Sequence, residues 1–448
     1  MQSPLPRTPL FSATLRSPET YGELAASQLE DAVVVEGLTR RQQEREERLA
    51  CVLFALVGVG YLFPFSALTQ PVDYWKMLFP DYSIEFAITS VFMYTNLAFL
   101  GVIVVFFGKP WYTGRIVGGF IGQLVVLAFV PTSYFFLSSE NANAVAVLGG
   151  TAAVSIATAF IDSSTIALVS QYPLKVQESF QLGVGLSTLI GSIYRDVTKL
   201  VFPAHELIKS TLIYFYTGAF TIALCIFAYY KLMRLRISRQ CLQRKPDDAF
   251  ELTEQTYLLT DPSGAKRVSE EAFQSTTKPS KWTVLRKVLH LQLLITLVFV
   301  TSLALWPPLV TEIKSFNFPS LENSGWWSLI LLTVFSIADC AGRFMIGHRF
   351  GLNASNVWVA VVARFVLVPI IIAIVKGAFF THDAWSVFFV SILGHTNGFL
   401  GSLTIILVNE SVHPDEQQLA GPFTSFFLNL GLVLGASAGL LMQALVLG

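Results

Sequence analysis

Five places in this sequence put ionisable side chains inside long apolar runs. A charge at the centre of a lipid-spanning helix costs about 2.5–3.5 kcal/mol on insertion scales, so each one needs a chemical reason. Asp339 and Arg343 stand four residues apart, a spacing that puts both on one helix face. There they can neutralise each other or take a polar ligand together. A carboxylate accepts from vicinal hydroxyls, and a guanidinium donates to a ring nitrogen or oxygen. An ion pair that only fixes the helix fits the spacing equally well, and both readings stand open.

Arg364, in the run Ala363–Pro369, reads as a strut to Asp339 or to a backbone carbonyl, because its own run offers no other polar neighbour. Asp162 is followed by Ser163, Ser164 and Thr165. Hydroxyls on one helix face glue helices together or line a pathway. Glue explains the hydroxyls but explains the carboxylate poorly, which favours a pathway. A carboxylate there could also carry a proton. Arg195, Asp196 and Lys199 fall in the second half of another run. They read as groups paired with neighbours or reaching the membrane face along their stems.

Further candidates rest on shape. Gly58 and Gly60 permit close helix contact. Trp306-Pro307-Pro308 breaks a run and frees carbonyls, as a gate or bend would. Asn397-Gly398 is a polar interruption of another run. Phe65, Phe92 and Trp306 could stack on a planar base, since every base has a π-face. With aromatics at 13% of the chain, packing explains any single one as well. Enzyme motifs such as HExxH, the P-loop and GxSxG with triad partners do not occur. Six histidines do not cluster, and four cysteines have no metal-ligand spacing. The expectation is no enzyme, no cofactor and no metal. With no ATP site, any transport is passive or ion-coupled.

The elements that must position these residues are helices in lipid. Of 448 residues 53% are hydrophobic and only 13% charged, about half the charged share of a soluble domain. Mean hydropathy is +0.58. A membrane helix needs about 20 mostly apolar residues, and the continuous runs exclude the alternating pattern of a barrel. Eleven spans are expected, near 50–70, 86–107, 114–137, 143–170, 179–203, 208–231, 285–309, 325–346, 355–376, 384–408 and 420–446. The first follows 49 residues rich in charge and is not a cleaved signal.

Residues 1–49 and the long connection 232–284 are expected to be cytoplasmic and largely disordered. They flank a six-helix bundle over 50–231, and a five-helix bundle follows over 285–448. The N-terminal segment holds six basic residues and the stretch 231–288 twelve, together 18 of the chain's 30. Basic residues mark the cytoplasmic side, which puts the N-terminus inside and the C-terminus outside. A formal net charge of zero argues against a nucleic-acid partner. The expected partners are a small-molecule substrate and the bilayer, with no obligate protein partner.

With these residues in view, the chain resembles the equilibrative nucleoside transporter family over about residues 50–448. The resemblance is carried by Gly58-Val-Gly60-Tyr-Leu-Phe-Pro64, Trp306-Pro307-Pro308 through Glu312, Asp339 with Arg343, and Ala363-Arg364 with Pro369. It is carried also by His382-Asp-Ala-Trp385, Asn397-Gly398, and Ala420-Gly421 followed by Phe426-Phe427, Gly431 and Gly435. It implies an all-α polytopic membrane protein of eleven transmembrane helices, six plus five in two bundles, major-facilitator-like. It also implies facilitative, bidirectional movement of nucleosides, and nucleobases with them, by alternating access, most often at the plasma membrane, with endosomal or vacuolar membranes as alternatives.

In that family the Asp and Arg matching Asp339 and Arg343 hold the ribose, and a Gln at the position of Asp162 contacts the base. Ser66 stands where the family often has Asn, and a further Asn is absent, with Ser336 nearby. The expected substrate contacts are therefore Asp339, Arg343, Asp162, Phe65, Ser66, Phe92, Trp306 and Ser336. Arg364, Pro307, Pro308, Asn397 and Gly398 are expected to act in structure or gating. Asp73–Asp81 and Thr198–Pro203 resemble the plasma-membrane monoamine transporter branch, whose span-five Glu falls at Val184 here. Organic-cation transport, proton-coupled nucleoside transport and a non-transporting receptor remain the alternatives.

Overall fold

The computed structural model describes residues 40–80, 84–106, 111–243, 280–378 and 380–447. The chain divides into a short unit, Met1–Arg45, of which Arg40–Arg45 are described, and a large unit, Glu46–Gly448. Among the described residues the structure is all-helical and has no strand. The long helices are α1 (Arg40–Thr69), α2 (Ile84–Phe106), α3 (Tyr112–Ser133), α4 (Glu140–Val169), α5 (Leu174–Val201) and α6 (Leu207–Met233). They continue with α7 (Lys281–Leu305), α8 (Trp326–Phe344), α9 (Val357–Val375), α10 (Asp383–Glu410) and α11 (Pro414–Leu447).

Ten helices among the described residues, α1–α4 and α6–α11, are long and apolar enough to cross a membrane. The chain is an integral membrane protein. The expected fifth span corresponds to α5, which falls short of that standard and carries Lys175, Glu178, Arg195, Asp196 and Lys199 among further polar residues. The count of eleven apolar spans is thus ten apolar helices and one charged one.

Several boundaries differ from expectation for local reasons. Helix α1 starts at Arg40, inside the segment expected to be disordered. Its first turns are Arg, Gln and Glu, all good helix formers, and Arg40 pairs with Glu44 at i,i+4. The expected loop 232–284 contains a helix, Arg236–Gln243, anchored by buried Ile237, whose amide donates to Glu46. Residues 244–279 lie outside the described residues.

Helix α9 is α-helical over Val357–Ala363, tightens to a 3-10 turn at Arg364–Val366, and resumes over Leu367–Val375. Pro369 lacks an N–H and its ring crowds the carbonyl four residues back, which tightens the preceding turn. Helix α10 is not interrupted at Asn397-Gly398 but runs through.

Apolar side chains of α1–α6 close one buried core that includes Phe54, Phe63, Trp75, Phe120 and Phe180. Helices α7–α11 build separate cores around Leu291, Val298 and Leu403, and around Leu331, Ile371 and Leu393. Within each set, small residues let backbones close in. Gly58 sits on α5, where a β-carbon would lie 2.6 Å from the Phe180 carbonyl oxygen, and Gly60 sits against Phe120 and Cys225. Outside the spans, Arg349 in the α8–α9 connection forks onto Glu410 at the end of α10. Those bonds, more than the neighbouring charge, raise the arginine above its ordinary pKa.

Candidate functional site

A central cavity lies where α1, α2, α4 and α5 face α7, α8, α10 and α11. Counted out to its open mouth, it holds about 1040 Å³ not filled by atoms. The lining is largely apolar, with polar groups gathered at two poles.

The first pole is Asp339 and Arg343 on α8. Arg343 Nε donates to Asp339 Oδ2 at 2.8 Å, the i,i+4 pair that the spacing allows. Arg343 Nη1 continues to Gln181 Oε1 of α5 at 3.2 Å and to Ser402 Oγ of α10 at 3.0 Å. Gly185 of α5 leaves room for the guanidinium stem, because a β-carbon there would lie 2.6 Å from Arg343 Cδ. The other carboxylate oxygen, Asp339 Oδ1, accepts from Asn397 Nδ2 at 2.7 Å. Each oxygen of a carboxylate has two lone pairs, so each keeps one acceptor position after these bonds. Breaking such a buried pair typically costs 3–5 kcal/mol, so the pair stands ready without being expendable.

The second pole is Asp162 on α4. Its Oδ2 accepts from Asn96 Nδ2 of α2 at 3.2 Å and Asn429 Nδ2 of α11 at 3.3 Å. The two asparagines also bond each other at 3.2 Å. The Tyr61 hydroxyl of α1 stands beside the same carboxylate. Asp162 is thus served by amides, and of the hydroxyls that follow it Ser163 bonds back to its own helix at Ala159.

Aromatic pairs also line the cavity. Phe65 and Phe92 meet with ring centroids 5.0 Å apart. Trp306 stacks on Phe335 at 4.7 Å and 15°. One pair comes from α1 and α2, the other from the end of α7 and α8, so flat apolar faces are offered from both sides.

Of the residues expected to touch substrate, Asp339, Arg343, Asp162, Phe65, Ser66, Phe92 and Trp306 all line the cavity. Ser336 does not: its hydroxyl donates to Leu332 and meets Ser192 Oγ of α5 at 3.4 Å. It lies three residues before Asp339 and faces α5. Asn397, expected in structure or gating, lines the cavity and holds Asp339. Gly398 presses on α8, where a β-carbon would overlap the Asp339 carbonyl.

Pro307 and Pro308 follow the end of α7, where Leu309 donates its N–H to the Leu305 carbonyl and Thr311 donates to the carbonyls of both prolines. Arg364 grips the Val298 carbonyl at 2.7 Å and reaches Asp339 only through Ser302 and Asn397. Gln181, Asn96, Asn429 and Tyr61 were missed by sequence reasoning. An uncharged polar residue on a long helix carries no signal of which way it points.

Away from the cavity the charged residues of α5 bond within the first set of helices through Arg195 and across to the second through Asp196 and Lys199. Arg195, buried, pairs with Asp73 in the short helix Val72–Leu78. Asp196 accepts from Thr333 of α8 at 2.9 Å, and Lys199 lies 5.2 Å from the Trp326 ring. At the opposite end of α5, Gln177 accepts from Asn409 of α10 at 2.9 Å.

A family model described as Nucleoside transporter matches residues 148–444. Equilibrative nucleotide transporter 1 of Arabidopsis thaliana is 25% identical over 411 residues, 90% of this chain and 87% of that protein. Equilibrative nucleoside transporter 1 of Homo sapiens is 27% identical over 308 residues, 64% of this chain and 66% of that one. Equilibrative nucleoside transporter 4 of Danio rerio is 22% identical over 436 residues, covering 87% and 83%.

Among solved structures, the chain resembles a major facilitator superfamily proton:xylose symporter bound to 6-bromo-6-deoxy-D-glucose, with a TM-score of 0.63, 10% identity and 89% of each chain covered. It also resembles the major facilitator transporter FucP in the outward conformation, with a TM-score of 0.51, 14% identity and coverage of 89% and 91%. At these identities the likeness is one of fold, and the architecture is major-facilitator-like.

Proposed function

This chain belongs to the nucleoside transporter family, and from that premise we propose that its central cavity holds a nucleoside and passes it across the membrane by alternating access. Transport is facilitative and bidirectional. Residues about 50–231 and 285–448 act as the two moving bundles, joined by the 232–284 connection. Helix α5 is the eleventh span, with Arg195, Asp196 and Lys199 held by the neighbours described above rather than by lipid. With α5 counted, both basic segments fall on the cytoplasmic side.

The observation that carries the reading is Asp339. Its two oxygens are each bonded once, by Asn397 and by Arg343. The two acceptor positions left suit the paired hydroxyls of a ribose. The base then lies among Phe65, Phe92, Trp306 and Phe335, with Asp162 toward its donor edge. Stacking of a base on an aromatic face contributes about 1–3 kcal/mol. Organic cations are not favoured, since Val184 offers an apolar wall where the cation branch uses a Glu. Proton coupling is not favoured either.

Uptake of labelled adenosine into proteoliposomes tests this, with and without a proton gradient and with a labelled monoamine in parallel. Saturable adenosine flux indifferent to the gradient is expected. Flux of the monoamine alone would overturn the reading.

A further inference from the structure

Asp339 is the end of a chain of hydrogen bonds that begins on a buried cation two helices away. Arg364 of α9 donates Nη1 to the Val298 carbonyl at 2.7 Å, Nε to Thr396 Oγ1 at 3.0 Å, and Nη2 to Ser302 Oγ of α7 at 2.6 Å. Ser302 lies 2.6 Å from Asn397 Oδ1, and Asn397 Nδ2 donates to Asp339 Oδ1 at 2.7 Å. All four side chains are buried, Ser302 at 0% exposure.

The proton of Ser302 has two possible acceptors, Asn397 Oδ1 and the Val298 carbonyl at 3.0 Å. Arg364 already serves that carbonyl and already fills an acceptor position on Ser302. The serine therefore gives its single proton to Asn397. An amide that accepts at Oδ1 on one side presents its N–H to the other, so Asn397 is fixed with its donor on Asp339. Every donor in the series points toward the carboxylate, and bonds in such chains polarise one another.

We infer that Ser302, a serine outside the cavity, is a positioning residue for sugar recognition: through Asn397 it fixes which lone pairs Asp339 presents to the substrate's hydroxyls. This rests on the proposed ribose role of Asp339. The relay also gives Arg364 a part in substrate choice although it touches no substrate.

The test compares transport of adenosine and 2′,3′-dideoxyadenosine in proteoliposomes for the wild-type protein, Ser302→Ala, Ser302→Cys and Asp339→Asn, with melting temperatures alongside. The wild type prefers adenosine in Vmax/KM, and Asp339→Asn removes that preference. Ser302→Ala lowers it about five-fold, the worth of one hydrogen bond, through the KM of adenosine and with dideoxyadenosine unchanged. Ser302→Cys, similar in size with a weaker donor, falls between and serves in place of Ser302→Ala should the alanine protein not fold. Loss of preference in Asp339→Asn with none in either Ser302 variant overturns the relay alone. Equal loss for both substrates in the Ser302 variants makes the serine merely structural and also overturns it. A wild-type protein that does not discriminate by these hydroxyls, or an Asp339→Asn protein that keeps the full preference, overturns the ribose reading beneath it.

Discussion

Gly398 of α10 rests on Asp339 of α8 so closely that a β-carbon there would overlap the Asp339 carbonyl oxygen. Gly342, one turn along α8, lies as tightly on His395 of α10. The two glycines clasp the helices that carry Asp339 and Asn397. Gly398→Ala forces α8 and α10 apart, and overpacking of this kind costs about 1–3 kcal/mol. The expected result is a lowered melting temperature in detergent and loss of transport for every substrate. An alanine variant with normal melting and normal flux would show that the contact is slack.

Replacing Asp339 by Ala removes the acceptor for the sugar and leaves Arg343 with Gln181 and Ser402 only. Hydrogen bonds to charged groups are worth about 1.5–3 kcal/mol, so adenosine Vmax/KM should fall by roughly ten-fold or more. Adenine, which has no ribose, should lose much less. Equal loss of the two fluxes at normal membrane abundance counts against a sugar contact.

Asp162→Asn exchanges a carboxylate for an amide between Asn96 and Asn429, both of which donate to it. A base bearing an exocyclic amine loses its acceptor. The expected outcome is a drop in the preference for adenosine over inosine, read from paired KM values. If the ratio is the same in both proteins, Asp162 does not face the base.

Ser192 and Ser336 bring their hydroxyl oxygens to 3.4 Å between α5 and α8. Alternating access requires that seam to open. A protein carrying Ser192→Cys and Ser336→Cys should form a disulfide on mild oxidation, stop transporting, and recover with a reductant. Full flux from the oxidised, cross-linked protein would mean that the seam stays closed during turnover.

The sequence made the helices legible because lipid imposes length and apolarity on each of them. Asp339 and Arg343 were legible as a pair because they share one helix and one face. Their partners were not, since Gln181, Ser402 and Asn397 come from α5 and α10 and only packing brings them near. The break in α9 had a signal in Pro369, but the run around it is apolar enough to read as one straight span. Ser336 shares the face of α8 that carries Asp339 at i,i+3, and only packing shows that its hydroxyl meets Ser192 of α5. The start of α1 at Arg40 is hard to read from composition, because a charged stretch suits disorder and helix alike, while Arg40 and Glu44 at i,i+4 support a helix.

Helix α5 carries five charges and yet forms the seam between the two sets of helices. On the eleven-span reading, it cannot enter the bilayer by its own apolarity during synthesis. Arg195 finds Asp73 on chain already made, whereas Thr333, for Asp196, and Trp326, for Lys199, are made well over a hundred residues later. On the same reading the seam is complete only once α8 is made, and α5 in a chain arrested before α8 should be more open to protease than in the full protein.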